Sequence, residues 1–92
     1  MANRGDRIVQ IRGQRWRIRF VPNLGPCEGV CDKPSRTIRI AQGYPEKDTM
    51  DSIIHELIHA ALWDLDEEAV GETANAISDA LWKLGYGRKT GS

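Results

Sequence analysis

The sequence predicts an α+β fold: a small, three-stranded, mostly antiparallel sheet followed by two long helices. Three patterns carry this expectation. Residues 15–21 alternate strictly, with Trp16, Ile18 and Phe20 on one side and Arg15, Arg17 and Arg19 on the other, the period of a half-buried strand. Met50, Ile53, Ile54, Leu57, Ile58 and Ala61 recur at helical spacing, which marks one broad buried stripe. Val70, Ala74, Ile77, Leu81 and Leu84 repeat that spacing in a second segment. The 92 residues are expected to form a single domain, with a β-rich part at 1–41 and helices at 48–64 and 66–84.

Taken in order, Arg7 to Ile11 alternates loosely and pairs as a hairpin with 15–21 across a Gly13-Gln14 turn. Residues 22–35, dense in Pro, Gly and Cys, read as loop. Thr37-Ile38-Arg39-Ile40-Ala41 is the third strand. Gly43-Tyr44-Pro45 breaks the chain, and Asp48 or Thr49 can cap the first helix. Asp66 caps the second, with Glu67 and Glu68 in its first turn, where the helix dipole favours anions. Gly85 ends it.

With 40% apolar and 28% charged residues, the chain belongs among folded globular proteins. No apolar run reaches the length of a membrane span, and the segment beginning Met1-Ala2-Asn3-Arg4 has no signal-peptide core. A cytoplasmic monomer without a membrane partner is the expectation. Net charge is zero, yet residues 1–40 hold nine Arg or Lys against three acids, and residues 41–92 hold four against ten. The basic half, with Arg15, Arg17 and Arg19 beside Arg7, Arg12, Arg36 and Arg39, admits a nucleic-acid- or partner-binding module as the alternative function. Alternating arginines on a strand are, however, most often its wet face.

The most specific signal is His55-Glu56-Leu57-Ile58-His59, which contains both histidines of the chain. On a helix, positions four apart stack on one side, so two imidazoles can converge on one ion. Glu56, one residue off that line, can reach a water on the metal as general base. A catalytic zinc takes three protein ligands and keeps one position open. Since no third histidine exists, the third ligand is expected to be a carboxylate. Glu68, Glu72, Asn75 and Asp79 share one face of the second helix. Glu67 reads as nearer the core face, suited to capping or pairing, and Asp64 and Asp66 as turn residues. Glu68 and Glu72 therefore remain, Glu72 favoured by strictly antiparallel helices and Glu68 by a splayed pair. Cys27 and Cys31 lack the partners for a second zinc site and are expected to be reduced. A thiolate could instead fill the open position of the first site in a resting state.

These residues resemble the gluzincins, zinc peptidases with a His-Glu-x-x-His helix and a glutamate on the next helix. The stretch from Gly29 to Tyr86 is similar to small phage and bacterial metallopeptidase-like proteins, through Cys31-Asp32, the strand at Thr37–Ile40, the histidine motif with Ala60, Leu65-Asp66-Glu67-Glu68-Ala69-Val70 and Leu81-Trp82-Lys83-Leu84-Gly85-Tyr86. The resemblance implies a minimal zincin-like core. It also implies a zinc ion held by His55, His59 and Glu68, with Glu72 orienting His55, because thermolysin-like members carry an acid four residues after the ligand glutamate. Only eight residues separate His59 from Glu68, a shorter gap than in the larger gluzincins. A competing similarity, of Glu72-Thr73-Ala74-Asn75 to peptidases that inactivate phage repressors, would make Glu72 the ligand. The implied activity is hydrolysis of a peptide or protein substrate, with an extended substrate pairing to the Thr37–Ala41 strand if that strand lies at the sheet edge. Tyr44 and Tyr86 are the only tyrosines available as oxyanion donors, and packing on the surface is the simpler role for both.

Overall fold

The computed structural model describes residues 5–87. In chain order the elements are β1 (Arg7–Ile11), β2 (Gln14–Val21), β3 (Gly29–Asp32), β4 (Thr37–Ala41), α1 (Glu46–Ala61) and α2 (Glu67–Lys83). The α+β class holds, but the sheet has four strands in the order β1-β2-β4-β3. It is mixed: β1 and β2 are antiparallel, β2 and β4 parallel, and β4 and β3 antiparallel. β3 lies inside the stretch expected to be loop. Four residues beginning with glycine, between Pro26 and Pro34, are too short to show a period; pairing with β4 makes the strand.

Local chemistry sets the turns. The β1–β2 hairpin turns at Arg12-Gly13, one residue earlier than expected, and both residues have positive φ (50° and 80°). That is the two-residue turn whose twist matches the flanking strands. Between β3 and β4, the Asp32 carboxylate accepts from the backbone and the hydroxyl of Ser35, and Arg36 sits at φ 50°.

Trp16 and Ile18 of β2 face Ile38 and Ile40 of β4 in a buried cluster, with Phe20 packed at its margin, so the alternation of β2 fixes its inner face. Ile38 and Ile40 are fully buried, each burial stabilising by roughly 1.5–3 kcal/mol. Ile53, Leu57 and Ala60 of α1 cover this face. β4, expected as a possible edge strand, is interior, flanked by β2 and β3. The two edges of the sheet are β1 and β3, and β3 is the one that packs more closely on α1.

α1 begins two residues before Asp48, after Pro45, and no side chain caps it. It ends at Ala61 instead of 64. α2 starts as predicted: the Asp66 carboxylate accepts from Ala69 N at 2.8 Å. At its other end Gly85 adopts φ 96°, and Tyr86 N donates to Leu81 O while Gly85 N donates to Trp82 O, the paired closure typical of a glycine-terminated helix. The buried positions of α2 are Val70, Ala74 and Ser78. Ile77, expected in the core, is 40% exposed. Ser78 takes the inward place because its hydroxyl donates to Asp51 on α1 at 2.9 Å. Among the described residues no helix is long and apolar enough to cross a membrane.

Candidate metal centre

His55 and His59 project from α1 one turn apart, their ring centroids separated by 4.9 Å. Both rings turn Nε2 toward the same carboxylate. His55 Nε2 lies 2.9 Å from Glu67 Oε2, and His59 Nε2 lies 2.9 Å from Glu67 Oε1. Which ring nitrogen carries the proton depends on the tautomer: Nε2–H donates to this carboxylate, and an unprotonated Nε2 is a metal donor. The acid that joins the two histidines is therefore Glu67, and not Glu68 or Glu72.

The reason is the inward face of α2. Glu67, Val70, Gly71, Ala74 and Ser78 follow one another at helical spacing, and Gly71 lies 4.0 Å from His55 Cε1, measured from the position a Cβ would take. Glu67 sits at the head of that face, in the first turn, where the helix emerges from Asp66. Glu68 is turned about 100° away by the helical step, and both Glu68 and Glu72 are exposed. Val70 and Ala74 are buried as the spacing predicts, but Ser78 takes the place expected for Ile77, and Glu67 heads the face.

One imidazole nitrogen from each histidine and one oxygen of Glu67 lie within 4.8 Å of one another. This group can hold a metal ion, and its nitrogen and oxygen donors suit a borderline divalent cation. The two 2.9 Å separations run to different oxygens of Glu67, so a metal taking one of them needs the carboxylate to turn, and the Glu67 side chain is 74% exposed.

Glu56 leaves α1 on the sheet side and is only 8% exposed. Burial raises its proton affinity above that of an ordinary glutamate; the neighbouring His55 and His59 oppose the rise, and Glu67 adds to it. The carboxylate fits there because residue 29 is glycine. A Cβ on Gly29 would stand 3.0 Å from Glu56 Cγ and 3.1 Å from Oε2, tight enough that the Glu56 side chain would have to shift by a few tenths of an ångström. Ser52 donates to Glu28 Oε1 at 3.1 Å, holding the approach to β3 against α1. Gly29 carried no signal in the sequence, where it was one glycine among several in an apparent loop.

Glu56, the two histidines and Glu67 open into one cleft of about 450 Å³, walled by β3 on one side and by Lys33 and Trp63 at its mouth. The Lys33 ammonium lies 3.7 Å above the Trp63 ring. Cys31 also lines the cleft, and burial, assisted by Glu56, pushes its thiol up to about 11, so it is protonated at neutral pH. Cys27 is exposed, and both cysteines are free. Tyr44 lines a different cleft, beside Phe20 and Met50, and Tyr86 is 63% exposed; neither borders the metal group. On β2, Arg17 and Arg19 share one carboxylate, Asp6, at 3.1 Å and 3.0 Å. Comparison with family models, with curated proteins and with solved structures gave no match.

Proposed function

We propose that this protein is a zinc-dependent peptidase that hydrolyses a peptide or protein substrate in the cytoplasm. The observation that carries the proposal is the placing of Glu56 in the same cleft as the His55–His59–Glu67 group. The resemblance of the His-Glu-x-x-His helix to the gluzincins supports the same reading, with Glu67 taking the ligand role assigned by resemblance to Glu68. Zinc bound there would supply Lewis acidity and lower the pKa of a water toward 7.

Glu56 accepts the proton of the attacking water and returns it to the departing amine. Its raised proton affinity suits both halves of that exchange, since the base must hold the proton long enough to deliver it. Gly29 keeps Glu56 against the cleft wall. The edge of β3 can align an extended substrate. In an antiparallel pair, hydrogen-bonded and non-bonded positions alternate, and Ala41 N donates to Glu28 O. By that alternation Val30 and Asp32 bond β4, while the backbone groups of Gly29 and Cys31 face outward along the cleft.

The test is substitution of Glu56 by Gln, which preserves shape and removes the base. Zinc content measured by mass spectrometry should stay near one per chain, and cleavage of a mixed peptide library should fall by about two to four orders of magnitude. In chelator-treated protein the same substitution should be stabilising at pH 7, because it spares the fold a buried charge. That advantage should shrink as pH drops through the raised Glu56 pKa toward ordinary glutamate values, where the wild-type side chain takes up its proton in the folded state. Undiminished cleavage by Glu56→Gln would end the proposal.

A further inference from the structure

Beyond Lys33 and Trp63, which bound the mouth of the metal cleft, lies a second cleft of about 370 Å³. The two clefts share those two side chains as a common wall. The second one presents Arg12, Lys33 and Arg36, and no carboxylate lines it. Among the described residues, the contacts of these cations leave their charge uncompensated. Arg12 donates to Ala61 O at 3.1 Å, Arg36 donates to Arg15 O at 3.1 Å, and Lys33 rests on Trp63. The carboxyl end of α1 faces the same space, but Arg12 already satisfies one of its terminal carbonyls. Three cations converging on a concave surface, each anchored by a carbonyl or a ring, form a site prepared for an anion.

We infer that this cleft binds an acidic side chain of the polypeptide substrate, aspartate or glutamate, at a position displaced from the scissile bond. The inference rests on the peptidase reading for what lies next door. The geometry favours a peptide over nucleic acid. Non-specific single-strand binding relies on a row of exposed aromatic faces along a basic groove, whereas Trp16 is 3% exposed and Trp63, though 64% exposed, is a single ring with one face under Lys33. An extended chain leaving the β3 edge past Lys33 reaches the cleft within a few residues, at about 3.3 Å per residue.

Binding, measured apart from cleavage, decides the matter. Zinc-loaded Glu56→Gln protein would be titrated with a fluorescein-labelled ten-residue peptide carrying three glutamates, with its glutamine counterpart and with a ten-nucleotide single strand. The glutamate peptide should bind about tenfold more tightly than the glutamine one at low salt and lose much of that margin at 0.5 M salt. Lys33→Gln, which breaks no backbone contact, and Arg12→Gln with Arg36→Gln should each reduce the margin severalfold, circular dichroism reporting that the fold is kept. Equal affinity for the two peptides, or tighter binding of the oligonucleotide, would overturn the inference. Wild-type cleavage of the library is read separately. Cleavage without acidic preference refutes the anion cleft alone, and glutamate-selective binding without wild-type cleavage leaves the cleft standing while the peptidase reading fails.

Discussion

At the scale of single residues, two positions decide what the cleft can do. Glu67 bridges both histidines, so Glu67→Ala leaves a metal with two protein contacts and should be nearly metal-free at micromolar zinc. Glu68→Ala should load like wild type, as titration against a competing chelator will measure; the opposite order would return the ligand role to Glu68. Gly29 makes room for Glu56. Gly29→Ala should retain the metal while cleavage falls severalfold, since the added Cβ pushes the Glu56 side chain aside by a few tenths of an ångström. Metal content and kcat measured on the same preparation separate displacement of the base from loss of the site. The histidines and Glu56 were legible in the sequence because a helix fixes their relative positions. Gly29 was not, because its significance lies in the space above its Cα, which a residue distant in sequence fills.

At the scale of elements, the packing of α1 on α2 positions Glu67 against the two histidines. Small residues on α2 allow the approach: Val70, Ala74 and Ser78 are buried, and Gly71 stands beside His55. Gly71 itself has room for one more carbon, since its nearest neighbour would be 4.0 Å from an added Cβ, an ordinary contact. Gly71→Ala should therefore stabilise the fold by about 0.5–1 kcal/mol through helix propensity with zinc affinity unchanged, readable by thermal melting and the same chelator titration. Destabilisation would mean that the His55 ring needs that space. Helix periodicity revealed that α2 exists and where Asp66 begins it. Val70 and Ala74 are legible as its buried face, but the spacing puts Ile77 where Ser78 lies, because an exposed Ile77 resembles a core residue in sequence and a buried Ser78 does not.

At the scale of the whole molecule, the buried apolar core is small, consisting among the described residues of Trp16, Ile18, Ile38, Ile40, Ala41, Val70 and Ala74. A ligand that joins α1 to α2 in the native state alone should add noticeably to such a fold. With zinc at a hundred times its dissociation constant the gain is about 2.7 kcal/mol, and a domain of this size should melt roughly 10–20 °C higher. Calorimetry with and without chelator measures this. His55→Ala should abolish the increment, and an unchanged melting temperature in wild type would place zinc binding outside the helix pair. What the sequence by itself determined is whatever depends on near neighbours in the chain: the inner face of β2, the existence of both helices, the Asp66 cap, and the pairing of His55 with His59 around Glu56. Only the tertiary structure decided that β3 exists and forms one edge of the sheet, that β2 and β4 run parallel, and that Glu67 joins the two histidines. Each of these depends on how separate elements meet, and a shift of one residue in register or helix rotation is invisible to local periodicity yet turns a different side chain into the cleft.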